Sequence, residues 1–466
     1  MEKCGREFKK IDRDLRAQGL KRDGSIYLNT QQKKGKINNA KKIGFWGCTA
    51  LVVGNMIGSG IFMLPAALAA FGGISIVGWI CASIGAVLLA VVFGYLGKLA
   101  PEANGGPFAY TKLGMGDLSA YLVAWGYWVS IWCANAAITV AAVGYLAVFF
   151  PVLGESAMAS IATGLGIIWF FTWINSKEIK TIALVQIITA TLKVAPILLI
   201  GIWGMFYVQL ENFTPFNLSG ESDLSVITTT TMLTFFAFLG MESATIPSGS
   251  VKDSAITVRK ATIFGTLATV VIYIISSVSI MGIIPAEVLA ESSAPFADVA
   301  EIFWGGTAKY VVAAGAVIAT MGALNGWILM QGAIPMAAAQ AGLFPTIFGK
   351  VNKSNSPIYG IIISSFIVSI FMLFNYSNSL VETFSYMMQL TTLAVTIPFL
   401  FSIISFVIIL KRSNSGYYQK LTVAIFAFLF TAWIMAGCGS EVLISGLLLF
   451  LLGIPFYFWI TREKAK

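Results

Sequence analysis

The sequence predicts an all-α polytopic membrane protein of twelve spanning helices, and three observations carry that prediction. Only 11% of the 466 residues are charged and 57% are hydrophobic, where a soluble domain carries roughly 25% charged residues; mean hydropathy is +0.83. Apolar runs of the roughly 20 residues needed to cross a bilayer recur along the chain. The basic residues between those runs gather on one side. Histidine is absent, which excludes His-based catalytic triads, His-ligated metals and His proton relays. The five cysteines (Cys4, Cys48, Cys81, Cys133, Cys438) show no CxxC pair, so neither a zinc site nor a disulfide framework is expected.

The apolar runs fall near 44–70, 73–98, 118–150, 156–175, 181–208 and 226–250, then near 260–284, 306–338, 357–376, 380–410, 416–437 and 440–461. With a cytoplasmic N-terminus, one set of loops and both tails hold Lys98, Lys112, Lys177, Lys180, Lys252, Arg259, Lys260, Lys350, Lys353, Lys411, Arg412, Lys420, Arg462, Lys464 and Lys466. The opposite loops hold Glu155, Glu211, Glu221, Asp223, Glu287, Glu291, Asp298, Glu301, Glu382 and Glu441, with Lys309 their only base. Positive charge marks the inside. The formal net charge of +9 is therefore mostly topology and calls for no nucleic-acid partner.

Residues 1–42 mix Lys, Arg, Asp, Gln and Asn without an apolar h-region or a cleavage site, so they do not read as a secretory signal peptide. They predict a disordered, basic cytoplasmic tail that obeys the positive-inside rule; the competing reading has Lys33, Lys34, Lys36, Lys41 and Lys42, just before the first span, touching anionic lipid headgroups. Residues 462–466 form the other cytoplasmic terminus, leaving 43–461 as the transmembrane domain.

Two spans carry weak points at membrane depth. The first contains Gly54-Asn55-Met56-Ile57-Gly58-Ser59-Gly60. Unwinding there is stable only where the backbone lines a cavity or binds something, and the freed N–H groups of the second half-helix favour a carboxylate. The competing reading is a small-residue packing face, since Gly54 and Gly58 are four apart. The sixth span repeats the theme in Phe235-Phe236-Ala237-Phe238-Leu239-Gly240-Met241-Glu242-Ser243-Ala244-Thr245, with Pro247 after it. Corresponding breaks in two halves point to a transporter with inverted repeats and a midplane site. Among 30 Lys and Arg and 21 Asp and Glu, only Lys193 and Glu242 are placed within the hydrocarbon, away from the run ends, and intramembrane ionisable groups are functional by default. Lys193 sits roughly 20 Å along the fifth span from Lys180, at about 1.5 Å per residue. It reads either as a protonatable amine in the place of a bound cation or as an architectural partner of the broken first span.

The runs GNMIGSGIFMLPAALAAFGGI, GGPFAY and FLGMESA resemble the amino acid–polyamine–organocation transporters, and within them the basic amino acid/polyamine antiporters that exchange arginine for agmatine, lysine for cadaverine or ornithine for putrescine. The resemblance runs from about residue 43 to 460. It implies a five-plus-five inverted repeat, with repeat one at about 43–208, repeat two at about 226–410 and two further helices at about 416–461. It also implies an integral protein of the bacterial inner membrane, and a homodimer as one assembly.

Position by position, the resemblance implies that Asn55, Met56 and the Gly58-Ser59-Gly60 backbone hold a substrate α-carboxylate, and that carbonyls around Phe236 and Leu239 take the α-amino group. Ser130, Ile131 and Asn135 match positions lining the side-chain pocket, Trp327 (from ALNGWILMQG) an aromatic wall and Thr391 a small hydroxyl ligand. Tyr127 and Phe399 match aromatic gates, and Glu242 the family's sixth-span glutamate. Read alone, Asn135 seeks a partner across helices, either substrate or a neighbouring span.

Two departures bear on specificity. Phe236 stands where the arginine exchanger has tryptophan, and Phe attracts a cation less well. Lys193 resembles the fifth-span lysine of proton-coupled members. The expectation is a secondary carrier, not an enzyme, with no cofactor, working on a basic amino acid or related amine by exchange or with protons. A proton-coupled symporter of neutral amino acids is the alternative, and a transporter-like membrane receptor the alternative of another class.

Overall fold

The computed structural model describes residues 43–101, 103, 105–177, 193–194, 196–246, 248, 251–354, 356–375, 379–413 and 417–464. The basic tail 1–42, the opening of the fifth apolar run, Pro247 and Lys466 lie outside the described residues. Among the described residues there is no strand, only a parallel bridge in which Lys252 N–H donates to the Ile43 carbonyl at 2.9 Å.

Ten helices are long and apolar enough to cross a membrane, and two shorter apolar helices, Pro196–Tyr207 and Ile358–Phe374, occupy two further predicted runs. The first span is two helices, α1 (Phe45–Met56) and α2 (Ser59–Ala69); α3 (Ser75–Leu99) follows. A short helix, α4 (Pro107–Met115), precedes the long α5 (Asp117–Ala147), and α6 is Ala157–Asn175. The sixth predicted span opens as α7 (Asp223–Phe235) and continues in two 3₁₀ turns, Phe236–Phe238 and Met241–Thr245. Then come α8 (Ser254–Ile283), α9 (Pro295–Trp304), α10 (Gly306–Gln340), α11 (Ile358–Asn375), α12 (Leu380–Ser413), α13 (Tyr417–Met435), α14 (Ser440–Leu451) and α15 (Gly453–Lys464). Sequence reading passed over α4 and α9. Both begin at Pro and are flanked by glycines of positive φ, Gly106 and Gly116 around α4 and Gly305 after α9, and neither is long enough to read as a span.

Helix ends follow dipole chemistry. Asp117 and Asp223 sit in the first turns of α5 and α7, and Lys411 and Arg412 in the last turn of α12, where their charges oppose the helix macrodipole. Ser222 caps α7 by accepting from Ser225 N–H at 3.4 Å. The threonine run of α7 tucks its hydroxyls onto its own backbone: Thr228, Thr230 and Thr234 donate to the carbonyls of Leu224, Val226 and Thr230, each at 2.7 Å. Such back-bonding lets an apolar environment tolerate hydroxyls and weakens the helix that carries them, here just before its break.

Burial separates centre from rim. The most apolar stretch of α5 is 94% buried and that of α1–α2 is 89% buried, against 28% for α13 and 17% for the last span. α5 packs most extensively on α12 and α10, α3 on α8 and α7, and α1 on α8. The interrupted segments are therefore held inside a scaffold of whole helices.

Small residues set the close approaches. A Cβ on Gly78 of α3 would stand 2.8 Å from the Thr230 backbone carbon of α7, whereas one on Gly166 of α6 would meet nothing within 4 Å. Gly→Ala inside a helix is intrinsically favourable by roughly 0.5–1 kcal/mol, but overpacking costs roughly 1–3 kcal/mol. Gly78→Ala is expected to lower the melting temperature in detergent and Gly166→Ala to hold or raise it; equal shifts for both would refute the packing argument.

Candidate functional site

The first span breaks where the glycines predicted. α1 ends at Met56, Ile57 turns extended (φ −72°, ψ 96°), Gly58 takes φ −143° and ψ −138°, and α2 starts at Ser59. The second break lies beside it. After the 3₁₀ turn at Phe236–Phe238, Leu239 is extended and Gly240 is left-handed at φ +100°. Only glycine adopts that conformation cheaply, and a Cβ on Gly240 would also lie 3.0 Å from the Asn55 Cβ. Gly60 is as tightly placed, its absent Cβ being 3.0 Å from that of Ala237. The two breaks thus touch backbone to backbone.

Broken helices leave carbonyls without N–H partners, and several carbonyls near the end of α1 have donors. Lys193 Nζ donates to the Gly54 carbonyl at 3.0 Å, Ser243 Oγ to Leu51 at 3.2 Å and Ile57 N–H to Val53 at 2.8 Å. Tyr273 of α8 places its hydroxyl 2.5 Å from the Met56 carbonyl and 3.1 Å from that of Ala237, joining the two breaks through one oxygen. Lys193 is fully buried, and a cation there complements the negative end of the α1 dipole.

Between the breaks lies a cavity of about 20 Å³ lined by Asn55, Met56, Gly58, Ser59, Gly60, Ala134, Ile138, Phe236, Ala237, Leu239 and Trp327. That is room for about one water. Ser59 is 1% exposed, and its Oγ has no partner among the described residues. It stands in the first turn of α2, where backbone N–H groups point outward from the helix end and the dipole favours an anion. Phe236 and Trp327 supply the aromatic walls, and Phe384 of α12 meets the Phe236 ring edge-on at 5.9 Å.

Other residues singled out from sequence sit around this cavity without lining it. Asn135 Nδ2 donates to Gln331 Oε1 at 2.7 Å, so its partner is a neighbouring span. Ser130 and Thr391 donate back to the Tyr127 and Met387 carbonyls, each at 2.7 Å, and Ile131 is fully buried in the core. The Tyr127 hydroxyl donates to Glu242 Oε1, while Glu242 Oε2 has no partner among the described residues. Phe399 packs on Phe93 and Phe235 with centroids 5.0 and 6.5 Å away. Lys193 and Glu242, both wholly buried, form no ion pair with each other.

Comparison with known proteins matches the sequence pattern of the amino acid permease family to residues 43–457, nearly the whole described chain. The chain belongs to that family. Over 92% of its length it is 32% identical to the cadaverine/lysine antiporter of Escherichia coli (strain K12), covering 97% of that protein. It is 28% identical to the arginine/ornithine antiporter of Pseudomonas aeruginosa and to the arginine/agmatine antiporter of Chlamydia pneumoniae, each time over 92% of both chains. Membership makes this permease a transporter and not an enzyme, in line with the resemblance carried by its glycine-rich motif.

Sequence reading missed Tyr273, Gln331, Phe384 and the small lining residues Ala134, Ile138 and Ala237. A signal existed for the first two, since a hydroxyl or amide within an apolar span needs a partner. Ala134 and Ile138 carry no such signal. Tyr273→Phe keeps the ring, which packs on Trp79 and Phe238 with centroids 5.6 and 5.5 Å away, but leaves two buried carbonyls without their donor, at about 1–3 kcal/mol. The variant is expected to fold, melt earlier in detergent and exchange substrate several-fold more slowly in proteoliposomes. A parental exchange rate would remove Tyr273 from the working parts of the site.

Proposed function

We propose that this permease is a secondary active carrier that exchanges basic amino acids or related amines by alternating access, with its substrate at the two helix breaks. One observation carries the reading: the Ser59 hydroxyl, without a partner among the described residues, and the start of α2 line a cavity whose other walls include the second break and the Phe236 and Trp327 rings. Ser59 and the Gly58–Gly60 amides take the α-carboxylate, with Asn55 and Met56 beside them, and the carbonyls around Phe236 and Leu239 take the α-ammonium. Trp327 and Phe236 offer π faces to the side chain, toward Ser130, Ile131, Asn135 and Thr391. Three relatives named for arginine, ornithine, agmatine, lysine and cadaverine favour a cationic substrate.

In the same reading, the ten long and two shorter apolar helices make twelve spans arranged as a five-plus-five inverted repeat. The basic loops and both termini face the cytoplasm across a bacterial inner membrane. Pockets for ligands of this size run to roughly 300–1,000 Å³, so the cavity of about 20 Å³ belongs to a closed conformation whose walls part to admit substrate. Tyr127 and Phe399, both enclosed, are the aromatic gates.

A second reading, coupling to protons, has Lys193 behind it. Its ammonium holds the Gly54 carbonyl by a charge-assisted hydrogen bond, about twice as strong as a neutral one, so gaining or losing a proton there changes how firmly α1 is held. Glu242 on the second break is its acidic counterpart.

Counterflow into proteoliposomes preloaded with lysine, arginine or ornithine tests both readings. Saturable uptake of labelled basic amino acid, stimulated by the internal pool and inhibited by cadaverine, putrescine or agmatine, is expected. Binding without flux would make the protein a receptor instead. A pH gradient adds a second arm: Lys193→Ala is expected to lose any gradient-driven uptake while still binding substrate, and undiminished gradient-driven uptake would end the proton-coupling role.

A further inference from the structure

A chain of buried amides and hydroxyls runs away from the cavity through α5, α10, α11 and α6. Gln331 Nε2 donates to the Ile361 carbonyl at 3.2 Å and to Ser365 Oγ at 2.7 Å, and Ser365 Oγ pairs with Thr172 Oγ1 at 2.6 Å. Asn135 and Gln331 are 1% and 0% exposed. A backbone carbonyl is acceptor-only, so the Gln331 end facing Ile361 is its NH₂ group, and its oxygen turns to Asn135. That oxygen in turn requires the Asn135 NH₂, as the 2.7 Å contact records. Asn135 Oδ1 is then fixed as the free end of the chain, buried and without a partner among the described residues.

A buried acceptor left unpaired costs roughly 1–3 kcal/mol, and folded proteins keep few of them. Asn135 does not line the cavity, but its neighbours along α5 do. Ala134 and Ile138 flank Asn135 on α5, and Trp327 lies one turn before Gln331 on α10; all three line it. We propose that Gln331 is a positioning residue that locks the Asn135 amide with its oxygen toward the substrate's side chain, so that the carrier selects substrates ending in an N–H donor. This deepens the carrier reading and rests on it. Freed of Gln331, the amide rotates by half a turn at little cost and presents NH₂ as readily as oxygen, which removes the discrimination. A site built to hydrogen-bond a substrate rejects analogues lacking the matching group.

The test is competition in counterflow between pairs that differ only in the terminal amine: lysine against norleucine, and ornithine against norvaline. The parent is expected to favour the amine-bearing member by at least about tenfold, which corresponds to about 1.4 kcal/mol. Gln331→Leu is expected to collapse that ratio toward one, as is Asn135→Ala. The double variant should match Asn135→Ala alone, because Gln331 acts through Asn135. Gln331→Met, closer in shape, gives the same readout if the Leu variant is not monodisperse in detergent. A purely structural role would weaken both members of each pair equally, and an intact ratio in the Gln331 variants would overturn this inference alone. No competition by any basic amino acid in the parent would bring down the carrier reading and this inference with it.

Discussion

In hydrocarbon, each backbone N–H and C=O that leaves a helix ladder must find another protein partner, because no water is there to take it. The first span leaves its ladder at Ile57, and the sixth predicted span does so at Leu239 and Gly240. What makes this tolerable is a set of donors brought from elsewhere in the chain: Lys193 to Gly54 and the Tyr273 hydroxyl between Met56 and Ala237. Each such bond nets only about 1 kcal/mol, yet losing one strands a carbonyl at a cost of about 1–3 kcal/mol. The breaks, the residues that cap them and the whole helices that deliver those caps are therefore one interdependent unit.

From that unit the site follows. Because Gly60 and Gly240 let the breaks approach within contact distance, the free amide end of α2 and the aromatic walls converge on a single small cavity. The Gly54, Met56 and Ala237 carbonyls hold Lys or Tyr donors, whereas the Ser59 hydroxyl has no partner among the described residues. Polarity is thus unevenly met: the Val53, Gly54 and Met56 carbonyls at the α1 end have protein donors, and the Ser59 hydroxyl at the α2 start has none among the described residues. An alternating-access carrier needs this asymmetry, since parting the walls must not strip α1 of its own partners.

Much of this was legible in the sequence. Ten of the apolar runs coincide, to within about six residues at either end, with helices long enough to cross a membrane, since bilayer thickness dictates helix length. The break at Gly58 followed from three glycines in a short apolar stretch, and Gly240 lay within the second interrupted motif. Lys193 and Glu242 stood out as the Lys and Glu placed deep inside apolar runs, and Lys193 took the partner that its architectural reading assigned. The side-chain end of the site was less legible. Asn135 could have met substrate or a helix, and only the register of α5 against α10 places Gln331 opposite it. Ala134 and Ile138 line the cavity by virtue of a rotation about the α5 axis that no residue type announces. The short helices α4 and α9 escaped because bilayer-length reasoning does not apply to them.

The most direct measurement of the central claim, that substrate binds between the two breaks, is protection of a thiol placed there. With the native cysteines replaced, Ala134→Cys in proteoliposomes would be labelled by a water-soluble methanethiosulfonate with and without lysine, ornithine or arginine, alongside Glu221→Cys in an exposed loop. The account predicts slower labelling at position 134, half-maximal at the concentration that half-saturates counterflow, and no change at 221. An unaltered labelling rate at 134 under saturating exchange would contradict it.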